Sequence, residues 1–95
     1  MSKKTFAFDI DGVICDTQNG DYKNSVPNMR SIKKINDLHA KGNKIIIFTA
    51  RYMGRTNNNV RRVYEIGYDF TVKQLKTWHV KYDQLIMGKP SFDLL

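Results

Sequence analysis

Two aspartates separated by one residue, Asp9 and Asp11, follow the first apolar segment of the sequence. Residues two apart on an extended chain share a face, so both carboxylates can meet one substrate. One carboxylate of such a pair can attack an electrophile while the other moves a proton. Taken alone, the Asp11-Gly12 pair is typical of a turn. The pair therefore indicates catalysis only if other polar groups join it.

Three further polar residues lie at the ends of later apolar segments. Thr49 and Arg51 close the second segment, and Lys89 comes just after the third. Open α/β sheets bind ligands beyond the carboxyl ends of their strands, where these side chains would converge if the strands are neighbours. Lysine and a divalent cation are the usual clamps on a transferring phosphoryl group. The spacing favours phosphoryl-transfer chemistry at one edge of a sheet.

The elements that must position these residues alternate between strand and helix patterns. Strands are predicted over residues 4–10, 44–49 and 82–87, and helices over residues 28–41, 60–66 and 71–79, with Gly42 just past the first helix. Gly67 is expected to end the second helix, with Asp69 or Thr71 capping the third. The polar segment 13–27 is expected to form a flap-like loop. The alternation predicts an α/β fold with a Rossmann-like parallel sheet and the Asp9 strand central, beside the Thr49 strand.

Size and composition predict a single domain over residues 1–95. Sixteen Lys and Arg against nine Asp and Glu give a formal charge of +7, but the cations are scattered, which is typical of solvated helix faces. They could steer a small anion and do not indicate nucleic-acid binding. No apolar run has the ~20 residues of a membrane span. The single cysteine, Cys15, and the lack of a signal-peptide pattern predict a reducing, cytoplasmic setting.

Three segments carry a resemblance to a known family. Residues 8–13 read FDIDGV, residues 45–51 read IIIFTAR, and residues 88–90 read GKP. In that order they resemble the first three motifs of the haloacid dehalogenase (HAD) superfamily of phosphotransferases. The nearest subgroup is similar to the small, nearly capless phosphatases of bacterial capsule and lipopolysaccharide biosynthesis. The resemblance implies a HAD-like fold with a minimal cap or none.

The resemblance also implies a mechanism for the aspartate pair. Asp9 would attack phosphorus to form an aspartyl-phosphate and would bind Mg²⁺. Asp11 would protonate the leaving alcohol and then activate water, and its main-chain carbonyl would be a second Mg²⁺ ligand. The implied activity is a Mg²⁺-dependent phosphomonoester hydrolase acting on a small phosphorylated metabolite, expected to be a sugar phosphate.

The implied phosphate-binding groups come from all three motifs. Thr49 and Lys89 would hold the phosphoryl oxygens, and Arg51 falls where subgroup members could meet the substrate phosphate or its sugar. Main-chain N–H groups would complete the anion cradle, and they belong to Ile10, Gly12 and Ala50.

The family's fourth motif has no counterpart in the sequence. That motif places one or two metal-binding aspartates after a further strand, whereas Asp93 precedes the apolar pair at residues 94–95 and resembles only the lead-in to that strand. The chain is therefore expected to be truncated or naturally shortened, with weak Mg²⁺ binding. Pairing with a second copy through the edge of the Asp9 strand, as a homo-oligomer, could compensate.

Three alternatives compete with the phosphatase hypothesis. A catalytically impaired HAD-like fragment or binding module would follow from the missing fourth motif. A phosphoacceptor receiver domain also uses Asp, Thr, Lys and Mg²⁺, but it would carry its phosphoacceptor on a later, central strand. A nucleic-acid binder would need a cationic face with interleaved aromatic residues, and core packing explains the tyrosines near Arg61 more simply.

Overall fold

The computed structural model describes residues 3–88, and its elements follow the predicted alternation. In chain order they are β1 (Thr5–Asp9), β2 (Cys15–Asp16), a 3₁₀ turn (Tyr22–Asn24), β3 (Val26–Pro27), α1 (Met29–Ala40), β4 (Lys44–Thr49), α2 (Val60–Thr77) and β5 (Gln84–Met87). Within residues 3–88, no helix is both long and apolar enough to cross a bilayer.

Three of the strands form one parallel sheet in the order β1-β4-β5. Asp9 pairs with Phe48, and Thr49 pairs with Met87 one step further along. The parallel, Rossmann-like α/β sheet is confirmed, as is the adjacency of the Asp9 and Thr49 strands. The expected central position of the Asp9 strand is wrong for the described residues, because β4 lies between β1 and β5. All three strands nevertheless end at the same edge, where the predicted site lies.

The two faces of this sheet are buried to different extents. Side chains alternate along β4, so that Ile45, Ile47 and Thr49 are fully buried, whereas Ile46 and Phe48 are half-buried. An uninterrupted β-branched run predicts a strand covered on both faces, but the described residues bury only one face completely. The buried face is the base on which both helices pack.

Helix α1 begins and ends close to the predicted bounds. The Asn28 side chain caps it by accepting a hydrogen bond from the Ser31 N–H, the usual role of asparagine at this position. Ile32 and Ile35, one helical turn apart, are buried against the sheet. The periodic apolar positions therefore orient α1 as expected.

The predicted break at Gly67 does not occur, because α2 is one helix from Val60 to Thr77. Asp69 and Thr71 consequently lie inside it and cap nothing. Glycine usually weakens a helix interior, but here the Tyr52 ring packs directly on the helix backbone. A Cβ atom at position 67 would lie 2.3 Å from the Tyr52 ring. The glycine is needed for this close approach and does not mark an end.

The segment 13–27 folds back on itself as a small lobe beside the main sheet. Cys15 pairs with Pro27, and Asp16 with Val26, in a two-stranded antiparallel ladder. The 3₁₀ turn lies between the two short strands and carries Tyr22. This lobe is called the hairpin below.

Candidate active site

A cleft of about 310 Å³ lies at the carboxyl end of β1. Its lining comes from three parts of the chain: Asp9 and Asp11 after β1, Ala50 and Arg51 after β4, and Thr17, Gly20 and Tyr22 from the hairpin. The structure therefore brings both predicted carboxylates together with the end of the predicted second motif. The hairpin supplies a wall of the same cleft.

The turn after β1 is fixed by backbone hydrogen bonds. The Ile10 carbonyl accepts from the N–H groups of Val13, Ile14 and Cys15, at 2.8–3.2 Å. The Ile10 N–H itself donates to Asp9 Oδ1 at 2.8 Å. The Asp9 carboxylate is thus oriented by its own neighbour, on a turn with little freedom to move.

Asp11 and Arg51 form a bidentate ion pair across the cleft. Arg51 Nε lies 2.9 Å from Asp11 Oδ2, and Arg51 Nη2 lies 2.9 Å from Asp11 Oδ1. The Arg51 side chain is fully buried, whereas 28% of the Asp11 side chain is exposed. Two parallel hydrogen bonds fix both the position and the plane of a carboxylate. Asp11 is therefore held in one orientation at the cleft surface.

Arg51 is held in turn by Gln74 and Tyr22. Its Nη1 donates to Gln74 Oε1 at 2.6 Å, and Gln74 Nε2 donates to the Tyr22 carbonyl at 2.7 Å. The Arg51 guanidinium carbon also lies 4.6 Å from the centroid of the Tyr22 ring, within the range of a cation–π contact. A continuous chain of contacts thus links Asp11 through Arg51 to α2 and the hairpin.

Burial and hydrogen bonding act in opposite directions on the Asp11–Arg51 pair. Burial raises the pKa of Asp11, but hydrogen bonds from Arg51 and Thr17 outweigh it and hold that pKa below its ordinary value. Burial lowers the pKa of Arg51, but the hydrogen bonds and charge of Asp11 outweigh it and raise that pKa. Thr17 Oγ1 donates to Asp11 Oδ1 at 2.5 Å. The lowered pKa means that Asp11 is an ionised carboxylate at neutral pH.

The other sequence-predicted binding groups have different surroundings. Thr49 is fully buried, and its Oγ1 accepts from the Arg51 N–H at 3.1 Å, so it supports the loop behind the cleft. Gly12, at φ +91°, donates its N–H to the Cys15 carbonyl. The expected contacts of Ile10, Gly12, Thr49, Ala50 and Arg51 with a substrate phosphate stay predictions. Lys89 and Asp93 lie outside the described residues.

Cys15 is buried beneath the ion pair. Its Sγ lies 3.5 Å from Asp11 Oδ1 and 3.6 Å from Arg51 Nη2. Burial raises the pKa of the Cys15 thiol, so the reactive thiolate is disfavoured. A packed, unreactive thiol fits these observations better than a nucleophile does.

The chain is similar to a crystal structure of a target protein from Vibrio cholerae. The two are 30% identical with a TM-score of 0.86, and the similarity covers 92% of this chain and 71% of that chain. The chain belongs to the same family as this Vibrio cholerae protein. No protein-family model matches the chain, and neither does a curated protein sequence. The shared family establishes the fold, and an activity has to be argued from the site.

Sequence reasoning missed Thr17, Tyr22 and Gln74 as members of the site. Thr17 and Tyr22 belong to a polar segment with no periodicity, and Gln74 lies on a helix between two lysines. Gln74 lies one helical turn after Thr71, which the structure shows to be buried, and this position places Gln74 on the inward side of the helix. Arg51 was found from the sequence, but its burial and its pairing with Asp11 were not.

Proposed function

We propose that the chain is a Mg²⁺-dependent phosphomonoester hydrolase that acts through an aspartyl-phosphate on Asp9. The observation that carries this proposal is the shared cleft of Asp9 and Asp11, with Asp11 fixed by a buried guanidinium. The two carboxylates have different partners, and different partners suit different roles. The resemblance of residues 8–13, 45–51 and 88–90 to the HAD motifs supports the same assignment.

In the first half of the proposed reaction, an Asp9 carboxylate oxygen attacks phosphorus. The new oxygen–phosphorus bond forms as the ester bond to the alcohol breaks, and the leaving oxygen takes both bonding electrons. A phosphomonoester that enters as its monoanion brings one proton, which Asp11 can pass to that oxygen. The products are the alcohol and a phosphorylated Asp9.

In the second half, water attacks the phosphorus of the phosphorylated Asp9. Asp11 takes a proton from this water while the acyl phosphate bond breaks, which regenerates the Asp9 carboxylate and releases inorganic phosphate. Asp11 then gives the proton up to solvent and is ionised again for the next cycle. An ionised Asp11, oriented by Arg51 and Thr17, suits this step. Arg51 acts here as a positioning residue for Asp11.

The oxygen groups of the cleft fit Mg²⁺. Within residues 3–88, no three Asp, Glu, His or Cys side chains are grouped closely enough to hold a metal. Mg²⁺ nevertheless binds commonly through one or two carboxylates together with waters and substrate phosphate. The Asp9 carboxylate and the Asp11 main-chain carbonyl would hold the ion. When bound, it would neutralise the charge of the transferring phosphoryl group.

The proposed substrate is a small phosphorylated metabolite of the sugar phosphate class, used in capsule or lipopolysaccharide biosynthesis. A cleft of about 310 Å³, with the hairpin as one wall, suits a ligand of this size. The single cysteine in the sequence cannot form an internal disulfide, which supports a reducing, cytoplasmic setting for this activity.

Hydrolysis of p-nitrophenyl phosphate, with Mg²⁺ and with a chelator, tests the proposal. We expect Mg²⁺-dependent turnover that Asp9→Asn abolishes, because an amide cannot form the acyl phosphate. The matched control is Asp16→Asn, since Asp16 is an exposed aspartate of β2 and its loss should leave turnover within about twofold. Full activity in Asp9→Asn would contradict the nucleophile assignment. Phosphate binding by the wild type without any turnover would favour the binding-module hypothesis.

A further inference from the structure

A second cleft adjoins the proposed active site. It measures about 320 Å³, and Gly20 and Tyr22 line both clefts. Its remaining lining consists of two aromatic residues, two cations, one amide and one carboxylate: Tyr52, Phe70, Lys23, Arg55, Asn19 and Asp21. A molecule seated in the first cleft can therefore extend past Tyr22 into the second.

Arg55 is the best-positioned cation of this second cleft. Its Nη2 donates to the Gly20 carbonyl at 2.6 Å, and its guanidinium carbon lies 5.0 Å from the ring centroids of both Tyr22 and Tyr52. No ion pair joins it to a carboxylate anywhere in residues 3–88, whereas Arg61 and Arg62 both pair with Glu65. The Arg55 guanidinium thus lines the cleft and is held in place by the Gly20 carbonyl, while its other N–H donors have no protein acceptor among those residues.

The two rings under Arg55 are themselves fixed. The Tyr22 and Tyr52 centroids lie 4.9 Å apart, and the Tyr52 N–H donates to Tyr22 Oη at 3.4 Å. Tyr52 adopts φ +68°, an uncommon conformation for a residue with a side chain, and its ring packs on the helix backbone at Gly67. A cation on a platform fixed before binding loses little entropy when a ligand arrives.

We infer that the Arg55 cleft binds a second anionic group of the substrate, either a carboxylate or a second phosphate. This inference rests on the proposed phosphatase function and deepens it. Gly20 and Tyr22 line both clefts, so a phosphate beside Asp9 and an anion beside Arg55 would lie in adjoining sites. A sugar that carries phosphate at one end and a second anion at the other would occupy both.

The two cations of this cleft, Arg55 and Lys23, favour an anion over a neutral sugar as the ligand. The planar fork of arginine matches carboxylate and phosphate oxygens in pairs. Lys23, exposed on the rim of the same cleft, adds a second positive charge. The carboxylate of Asp21 already accepts a hydrogen bond from Asn24 Nδ2 at 2.8 Å. Lys23 and Arg55 together outnumber Asp21, so the lining of the cleft carries a net positive formal charge.

Three six-carbon esters differ in the group opposite the phosphate and test this inference. Glucose 6-phosphate has no second anion, 6-phosphogluconate has a carboxylate, and glucose 1,6-bisphosphate has a second phosphate. For the wild type we expect KM and the calorimetric Kd to be about tenfold lower than for glucose 6-phosphate with whichever ester carries a second anionic group that fits the cleft. A preference for one of the two over the other identifies the anion.

Arg55→Met should remove this preference. We expect it to raise KM and Kd about tenfold for the preferred ester and to leave the values for glucose 6-phosphate within about twofold. Arg61→Met is the matched control, because it removes the same charge from an exposed part of α2 and should change none of the values.

Two results would overturn the inference. One is equal affinity of the wild type for all three esters. The other is an Arg55→Met variant that weakens all three alike, as expected if Arg55 only anchors the hairpin through Gly20. Failure of the proposed function is a separate result, seen as no phosphate release from any ester, and the calorimetric comparison of the three compounds still decides the role of Arg55 in that case.

Discussion

Two arginines lie over the same tyrosine ring and have opposite surroundings. Arg51 is 1% exposed and donates to Asp11, Gln74 and Cys15 around Tyr22. Arg55 is exposed and has one hydrogen-bond acceptor in the described part of the chain, the Gly20 carbonyl. Burying an arginine is tolerated only when its donors and charge are satisfied. The comparison separates a guanidinium that positions a catalytic group from one that is available to a ligand.

The largest expected effect comes from removing the buried member of this pair. Arg51→Met leaves the Asp11 carboxylate without its bidentate partner, and a small misplacement of a catalytic group can cost about 100-fold in rate. We expect kcat to fall by about that factor. We also expect the free energy of unfolding to drop by about 2 kcal/mol, which is less than the cost of breaking a fully buried ion pair because Asp11 is partly exposed. Steady-state kinetics and urea unfolding measure the two quantities.

Arg51→Lys and Arg55→Met serve as controls for that prediction. Lysine keeps the charge but lacks the planar fork, so Arg51→Lys should recover stability more than it recovers kcat. Arg55→Met should change the free energy of unfolding by no more than about 0.5 kcal/mol. Equal losses of stability in Arg51→Met and Arg55→Met would break the distinction between the two arginines.

A second prediction concerns the Tyr22 and Tyr52 rings that lie under Arg55. Gly67→Ala places a Cβ atom 2.3 Å from the Tyr52 ring, so the ring must move. Alanine improves helix propensity by about 1 kcal/mol, but overpacking costs about 1–3 kcal/mol, and the neighbouring helix backbone cannot yield. We expect the free energy of unfolding, measured with urea, to fall by about 1 kcal/mol and the preference for esters with a second anionic group to weaken.

Gly54→Ala is the matched control, because a Cβ atom there meets nothing within 4 Å. That substitution should be neutral or slightly stabilising. A Gly67→Ala protein as stable as the wild type, with the ester preference unchanged, would show that the position of the Tyr52 ring is unimportant for the second cleft.

An effect on kcat smaller than that of Arg51→Met is expected at Gln74, which joins Arg51 to the Tyr22 carbonyl. Gln74→Leu removes the acceptor of Arg51 Nη1 and the donor to the Tyr22 carbonyl, while the bidentate contact with Asp11 survives. We expect kcat to fall about threefold and the free energy of unfolding to drop by about 1 kcal/mol. Gln84→Leu, on the exposed side of β5, should leave kcat unchanged. A loss as large as that of Arg51→Met would place the control of Asp11 at Gln74 instead.

The sequence predicted those parts of the fold that depend on local patterns. Apolar runs located the three parallel strands, and the three-residue spacing of apolar residues such as Ile32 and Ile35 located α1. The break at Gly67 was wrong because the reason for that glycine is a ring from a distant loop, Tyr52. A tertiary contact of this kind leaves no periodic signal in the helix itself.

The same limit applies to the candidate site. Asp9, Asp11 and Arg51 were found because they follow strands, and strand ends in a parallel sheet converge. The different roles of these three residues could not be predicted, because they depend on the burial of Arg51. That burial depends on contacts with Gln74 and Tyr22, which lie 23 and 29 residues away from Arg51 in the sequence. The position of Arg51 after a strand singles it out, but charge and spacing alone do not show that Arg51 is buried whereas Arg55 is exposed.

The most direct test of the central claim is to trap the phosphorylated carboxylate. The Asp11→Asn variant, which lacks the proposed base for the second half of the reaction, is mixed with p-nitrophenyl phosphate and Mg²⁺ and treated at once with borohydride. Borohydride reduces an acyl phosphate to an alcohol, so peptide mass spectrometry should find homoserine at position 9. Omitting the substrate is the control and should leave aspartate there. Turnover with no reduced residue at position 9, or with reduction at another carboxylate, would contradict the assignment of Asp9 as the nucleophile.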